Sequence, residues 1–375
     1  MICGLIGYPL GHSYSPQIHR ALADYDYRLW PLKPEELEAF LVKHDFAGIN
    51  VTIPYKERVI PYLDQLSDTA RAIGAVNTVV NRDGKLYGDN TDLAGMLALI
   101  RRMGLVLSGK KVLVLGTGGT SKTARAAASQ LGAAEVYRVS RGGREDAITY
   151  RQAEEEHGDA ACIINTTPCG MYPDLGGCPV ELDSFPCLEG VVDVIYNPLR
   201  SELVLGARQR GIPAEGGLYM LAAQAAYASA LFRGCEATAG DIELAYRTVL
   251  HRMENIVLIG MPSSGKTTVG RLLAQRTGKE FVDTDALVEQ AVGMPVPDYF
   301  AAKGESAFRE REEEAVASAA AGGGKVIATG DYVGGIMGVG YVANSAPNSP
   351  WALVQGCFVS GSVEGKDYVG GITGG

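Results

Sequence analysis

Two glycine-rich turns in this chain have the spacing needed to hold phosphate groups. The first, Gly116-Thr-Gly118-Gly119-Thr-Ser121, follows the apolar run Val112 to Leu115 and opens an alanine-rich stretch, Lys122 to Leu131, that reads as a helix. Glycines let a pyrophosphate approach the backbone, and a helix start offers it free N–H groups and the positive end of a dipole. A lone glycine loop also fits a tight strand-to-helix turn without a ligand. The next strand, Glu135 to Val139, ends in Ser140-Arg141. NAD enzymes usually place an acidic residue there for the ribose 2′-hydroxyl, so Arg141 favours a 2′-phosphate, hence NADP, and Arg144 could assist. The second turn, Gly260-Met-Pro-Ser-Ser-Gly265-Lys266-Thr267, is a complete Walker A loop between a predicted strand, Ile256 to Ile259, and a predicted helix, Thr268 to Arg276. Its amides would cradle phosphates, Lys266 would reach β and γ oxygens, and Thr267 would ligate magnesium, which implies Mg-ATP.

The elements around these turns predict α/β architecture throughout. A chain of 375 residues leads to an expectation of two to three domains. Before Gly116, short apolar runs (Gly4 to Ile6, Gly48 to Ile53, Ala75 to Val80) alternate with helical patterns such as Pro34 to Lys43. After Gly260 the strand and helix signals continue to Gly330, and then the composition changes. Residues 331–375 hold eleven glycines and four charged residues, and Asp331-Tyr-Val-Gly-Gly-Ile-Met-Gly338 returns as Asp367-Tyr-Val-Gly-Gly-Ile-Thr-Gly374. A β-turn-β repeat fits this tail, as does a floppy glycine-rich terminus, because two partial copies are few for a repeat fold.

Composition excludes several function classes. Hydrophobic residues at 46% and charged residues at 21% describe a soluble globular chain, not a disordered one. A net charge of −9 argues against a general nucleic-acid or anionic-membrane binder. Seven scattered cysteines without a Cys-x-x-Cys pair, and five histidines without metal-ligand spacing, suggest reduced thiols, no structural zinc and a cytoplasmic setting. The N-terminus lacks the pattern of a leader, and the apolar stretch Leu218 to Phe232 is interrupted by Gln224 and Ser229, so neither secretion nor membrane spanning is expected. No protein partner can be read.

The region before Gly116 carries four polar clusters: Ser13-Tyr-Ser15-Pro16, Asn50-Val-Thr52-Ile-Pro54-Tyr-Lys56, Gly74-Ala-Val-Asn77-Thr78 and Gly88-Asp-Asn90-Thr-Asp92. Together with Asn165-Thr-Thr-Pro-Cys-Gly-Met171, Asp193-Val-Ile-Tyr196-Asn-Pro198 and Gly216-Gly-Leu-Tyr-Met220, they make residues 1 to about 250 resemble shikimate dehydrogenase. The resemblance implies a substrate domain from 1–102 and 221–250 and an NADP-binding Rossmann domain over 103–220. It implies reversible reduction of 3-dehydroshikimate to shikimate, a step in aromatic amino-acid biosynthesis. Charge developing on a ring ketone oxygen needs a cationic proton donor and a carboxylate to orient it, and Lys56 with Asp92 fits. The alternative is a solvated Lys56, with Asp92 serving as a helix cap. The family implies substrate contacts from Ser13, Ser15, Thr52, Asn77, Tyr196 and Gln224, with the two serines at the carboxylate. It implies cofactor contacts from Gly116, Gly118, Gly119, Arg141, Thr166, Gly217 and Met220. Ser140 stands where relatives often carry asparagine.

Residues 254–330 resemble shikimate kinase through the Walker A loop, Phe281-Val-Asp283-Thr-Asp285 and Phe308-Arg309-x-x-Glu312. The likeness implies Asp283 near magnesium beside Thr267, and Asp285 with Arg309 at the shikimate hydroxyls and carboxylate. It stops near Gly330, ahead of the family's lid arginines, and the tail resembles the glycine-rich GLUG repeats of bacterial surface proteins. The reading is therefore a dehydrogenase joined to a truncated, inactive kinase half-domain with a β-prone tail, in a chain of chimeric origin. A working bifunctional enzyme and a non-catalytic, surface-displayed binding protein are the alternatives.

Overall fold

The computed structural model describes residues 1–11, 13–142, 146–259, 264–320, 323–329 and, by backbone, the strand 337–338. It separates into two compact units, Met1–Leu250 and His251–Gly375.

The first unit contains two sheets. Its N-terminal sheet is built from β1 (Ile2–Gly7), β2 (Asp26–Pro31), β3 (Gly48–Val51), β4 (Gln65–Leu66), β5 (Thr78–Arg82) and β6 (Lys85–Asp89), in the spatial order β2-β1-β3-β5-β6-β4. β1 runs parallel to β2 and β3, while β5 is antiparallel to both β3 and β6. The β5–β6 hairpin turns on Asp83 and Gly84, both at positive φ, the backbone a two-residue hairpin loop needs. Helices α1 (Ser15–Leu22), α2 (Leu37–Lys43), α3 (Asp68–Ile73) and α4 (Thr91–Arg102) connect or follow these strands. Ile6, Ile49, Val79, Leu86 and Tyr55, all nearly solvent-free, form the core of this sheet. The run predicted to continue to Ile53 stops at Val51, because the chain turns ahead of Pro54 and leaves Ile53 74% exposed. The run predicted from Ala75 becomes a strand only at Thr78, since Ala75–Asn77 form the bend that carries Asn77 to α4.

The second sheet holds β7 (Lys111–Leu115), β8 (Glu135–Ser140), β9 (Ile148–Thr149), β10 (Cys162–Asn165), β11 (Gly190–Asp193) and β12 (Ala214–Glu215) in the order β12-β11-β10-β7-β8-β9. Every pair is parallel. β10 and β11 are buried at every residue, as strands covered on both faces must be. The associated helices are α5 (Gly119–Gln130), α6 (Tyr150–Glu156) and α7 (Glu202–Gln209), while α8 (Leu218–Arg233) and α9 (Ala239–Met253) follow the sheet in the chain and return to the N-terminal elements, α8 against α1, α4 and β5 and α9 through the Arg102–Glu243 pair. α5 begins at Gly119, three residues earlier than its alanine-rich pattern suggests.

α4 and α8 pack against each other and tie the two sheets together. Their approach is set by Gly95: a Cβ there would lie 2.7 Å from the Met220 carbonyl oxygen. α8 ends at Gly234, which takes the left-handed C-terminal conformation (φ 68°).

In the second unit, β13 (Ile256–Ile259), α10 (Lys266–Thr277), β14 (Glu280–Asp283), α11 (Thr284–Val292), α12 (Val296–Ala320), β15 (Lys325–Thr329) and β16 (Met337–Gly338) build a sheet of order β14-β15-β13-β16. β13, β14 and β15 are parallel, and β16 lies antiparallel on the β13 edge. α12 is broken at Gly304, whose φ is 82°. Of the predicted tail repeat, only β16 falls within the described residues.

Candidate active site

The N-terminal clusters meet in one place. A cavity of ≈ 270 Å³ lies between the carboxyl edges of the two sheets of the first unit. Ser13, Ser15, Thr52, Lys56, Asn77 and Asp92 reach it from the N-terminal sheet. Tyr196, Gly217, Met220 and Gln224 reach it from the other side. All six sequence-predicted substrate residues, the predicted lysine–aspartate pair and two of the predicted cofactor residues therefore share one lining.

Lys56 Nζ donates to Asp92 Oδ2 at 2.6 Å, with side chains 26% and 14% exposed. Lys56 sits in the turn after Pro54, anchored by its neighbour Tyr55, which is fully buried and donates to the Leu32 carbonyl. Its own carbonyl accepts from the Val76 amide at 2.7 Å. Asp92 does not cap α4. Asn90 does, accepting from Leu93 N, so the Asp92 carboxylate is left to the lysine and the capping alternative is set aside.

Asn77 is held as rigidly. Its Oδ1 accepts from Thr91 N at 2.7 Å and its Nδ2 donates to Thr91 Oγ1 at 3.0 Å, with Gln224 Oε1 at 3.5 Å. At the mouth, Ser13 Oγ accepts from Ser15 N at 3.2 Å, at the start of α1. Tyr14 and Tyr196 meet edge to face at 6.3 Å from the two sides. Lys122 of α5 and Glu57 form a second contact across the cleft, 2.6 Å apart.

The glycine turn lies at the switch point of the second sheet, where β7 leads one way to β8 and the other to β10. Ligands bind parallel sheets at such crevices. Gly116 has φ 103°, and a Cβ there would lie 2.8 Å from Thr166 Oγ1, which itself donates to the Leu115 carbonyl. A Cβ at Gly118 or Gly119 would meet nothing within 4 Å, so the N-terminus of α5 is open to a bulky anion. Arg141 is exposed just past β8. Arg144 lies outside the described residues. Beside Arg141, Ser140 Oγ and Arg138 Nε are buried polar atoms without a hydrogen-bond partner among the described residues, although Arg138 also pairs with Asp146 and donates to the Thr117 carbonyl. Open glycines, an exposed arginine and orphaned donors at the end of β8 fit a phosphorylated dinucleotide.

The loops at the switch are fixed by a buried carboxylate. Asp193, with no exposed surface, accepts from Asn165 Nδ2 (3.0 Å), Ile195 N (3.0 Å) and Ser201 Oγ (2.5 Å). Burial outweighs these bonds and pushes its carboxyl up to about 6. Sequence reading quoted Asp193 without assigning it work. Asn50, quoted in the second polar cluster, and Thr120, within the glycine turn, were likewise given no role, and both line the cavity. A role for Asn50 could have been assigned, because it lies two residues before Thr52 and so projects to the same side of an extended chain.

In the second unit, Gly265 precedes α10 in the left-handed conformation (φ 85°), Lys266 opens that helix, and Thr267 Oγ1 donates to Asp283 Oδ2 at 3.0 Å. The structure thus brings together the predicted magnesium-side pair. Asp283 caps α11, accepting from Asp285 N, and Arg309 is paired on α12 with Glu312 at 2.6 Å. Gly260 lies outside the described residues. Among the described residues no cluster of His, Cys, Asp and Glu is arranged to hold a metal, and six cysteines are free thiols.

Residues 5–79 match the family model of the shikimate dehydrogenase substrate binding domain, and residues 262–337 match that of shikimate kinase, running past Gly330 into the start of the tail. A shikimate dehydrogenase (NADP(+)) of Clostridium perfringens is 37% identical over 254 residues, covering 62% of this chain and 92% of the relative. The crystal structure of shikimate 5-dehydrogenase from Thermus thermophilus in complex with NADP(H) and shikimate matches with a TM-score of 0.60 and 32% identity, over 66% of this chain and 99% of that one. A chorismate mutase/shikimate 5-dehydrogenase fusion protein from Clostridium acetobutylicum matches with a TM-score of 0.62 and 30% identity, over 66% and 96% of the two chains. With its polar cavity residues and its glycine turn gathered on one cleft, and with relatives covered over nearly their whole length, this chain belongs to the shikimate dehydrogenase family.

Proposed function

We propose that the first unit catalyses the NADP-dependent, reversible reduction of 3-dehydroshikimate to shikimate. The observation that carries this reading is the 2.6 Å pair of Lys56 and Asp92 inside a cavity lined by hydroxyl and amide groups beside an open glycine turn. NADPH supplies hydride when bound. Lys56 then delivers a proton from Nζ to the ring oxygen as charge builds there, and Asp92 Oδ2 aims and holds the ammonium. In the reverse direction Nζ takes the proton back. Ser13 and Ser15, at the start of α1, receive the substrate carboxylate, while Thr52, Asn77 and Gln224 receive ring hydroxyls, with Tyr196 closing from the opposite wall. Gly116, Gly118 and Gly119 accept the pyrophosphate, Arg141 the 2′-phosphate, and Thr166, Gly217 and Met220 border the nicotinamide end. The domain assignment follows: 1–102 with 221–250 for substrate, 103–220 for cofactor. The test is NADPH formation from shikimate and NADP by the purified chain; absence of turnover would overturn the reading.

The second unit is a kinase-like module over residues 254–330. The Thr267–Asp283 contact supports a Mg-ATP site, with Lys266 at the phosphates and Asp285 and Arg309 toward shikimate. Residues 331–375 contain no arginine, so they add no guanidinium for the transferring phosphoryl group, and this chain binds nucleotide without phosphorylating shikimate. No helix among the described residues is long and apolar enough to cross a membrane.

A further inference from the structure

A second cavity, of ≈ 490 Å³, lies in the first unit where α4 and α8 meet the end of β6. It shares no lining residue with the substrate cavity. Its size falls in the range of small-molecule sites, about 300–1,000 Å³. Leu93, Leu97 and Leu231, with Ala94 and Ala230, give it an apolar wall, and Tyr227 adds an aromatic ring.

The charged lining is of one sign: Asp89 and Glu236, with no lysine, arginine or histidine among the described residues. Asp89 Oδ1 accepts from Ser67 Oγ at 2.6 Å and from Asn90 N at 2.7 Å, while its Oδ2 makes no hydrogen bond among the described residues. Glu236 is exposed and forms no ion pair among them. The helices add to this field. α5 ends at Gln130 and α8 ends just before Cys235 and Glu236, so two C-terminal, negative dipole ends border the cavity. Arg233, in the last turn of α8, donates to the Ser229 carbonyl and is not part of the lining. The helix starts that would attract an anion are already engaged. In α4, Thr91 N donates to Asn77 Oδ1 and Leu93 N to Asn90 Oδ1, and in α3, Ala70 N donates to Ser67 Oγ. An ammonium carried on an apolar body satisfies both the carboxylates and the leucine wall, with the Tyr227 ring as a further cation partner.

We propose that this cavity is a second ligand site, for a small organic cation built on a flat apolar body, and that its occupant is linked to the substrate cavity through the turn Asp89–Asp92. In that turn Asn90 caps α4, Thr91 is bonded to Asn77 of the substrate cavity, and Asp92 pairs with Lys56. The link to shikimate rests on the dehydrogenase reading; the site itself does not. Tryptamine, an ammonium on an indole, is the probe, and indole-3-acetate, a carboxylate on the same ring, is its counterpart. Cys235 is an exposed free thiol in the lining, and Cys187 is an exposed free thiol outside it. In the full chain, tryptamine should bind with a calorimetric Kd below about 1 mM. At about ten times that Kd it should slow iodoacetamide labelling of Cys235 about tenfold, read by peptide mass spectrometry, and leave Cys187 unchanged. Indole-3-acetate should do neither. Asp89→Asn with Glu236→Gln should weaken tryptamine binding about tenfold, and should that double variant not fold, Glu236→Gln alone, at an exposed side chain, should weaken it about threefold. Saturating tryptamine should shift the shikimate Kd by at least about twofold, and shikimate should shift the tryptamine Kd by the same factor. Unprotected Cys235, equal binding of indole-3-acetate, or unchanged affinity in the carboxylate variants overturns the site. An unchanged shikimate Kd with Cys235 protected overturns the link. A wild-type chain that binds tryptamine but neither binds nor oxidises shikimate overturns the dehydrogenase reading and leaves the site standing.

Discussion

Truncating Lys56 is the sharpest test of the proposed chemistry. In Lys56→Ala the ring oxygen loses the proton donor that the structure holds 2.6 Å from Asp92 Oδ2. Positioned general acid–base groups contribute roughly 10²–10⁴ in rate, so kcat for shikimate oxidation should fall by that factor, about 3–5 kcal/mol in barrier. The fold should tolerate the change. The pair is partly exposed, at 26% and 14%, so water can reach Asp92 once the ammonium is gone, and the stability cost should stay near ~1 kcal/mol. Tyr55 and the Lys56 carbonyl hold the turn through contacts that do not involve the side chain. The assay is steady-state NADPH formation at saturating shikimate, with NADPH binding followed by fluorescence and folding by circular dichroism. A kcat within threefold of wild type, in a folded variant that still binds cofactor, would refute the assignment of Lys56 as the proton carrier.

Arg141→Asp should shift preference from NADP toward NAD by roughly 10–100-fold, because a carboxylate repels the 2′-phosphate and accepts from a 2′-hydroxyl; equal losses with both cofactors would make Arg141 structural. Asp193 should make stability depend on pH. Its carboxyl is raised from 3.8 to about 6 in the folded chain, so its contribution is fully present below pH 3.8 and is lost as pH rises through 6. Asp193→Asn should flatten this dependence, gaining on wild type by roughly 1–3 kcal/mol between pH 4 and 8 in urea titrations; parallel pH profiles would contradict it. Gly95→Val should destabilise by roughly 2–4 kcal/mol, since its Cβ would press on the Met220 carbonyl of α8, and an unchanged melting temperature would show that α4 and α8 can separate freely. Coupled ADP release with shikimate and Mg-ATP should give no shikimate-dependent signal, and a signal abolished by Lys266→Ala would mean that the kinase site is complete.

What the sequence determined by itself was local. The glycine turns, the strands before them and the helices after them follow from short-range geometry: β7 and β13 lie where the apolar runs stand, and the helix after each turn begins only two or three residues earlier than its side-chain pattern indicates. Ordered polar clusters were legible for the same reason, as residues a few positions apart on one turn or strand. The tertiary structure decided what lies between them. It chose Asn90 over Asp92 as the α4 cap, which leaves Asp92 to Lys56, 36 positions away in the chain. It set Gly95 against Met220, put Asp193 beneath the switch-point loops and stacked His19 on Tyr27 behind Asn50. None of these carries a local signature, because a buried histidine, an aspartate ending a strand and a helical glycine each read as ordinary until packing supplies the neighbour. Pairings across long loops are set by which apolar faces must be buried together, a sum over both sheets that no short window of sequence contains.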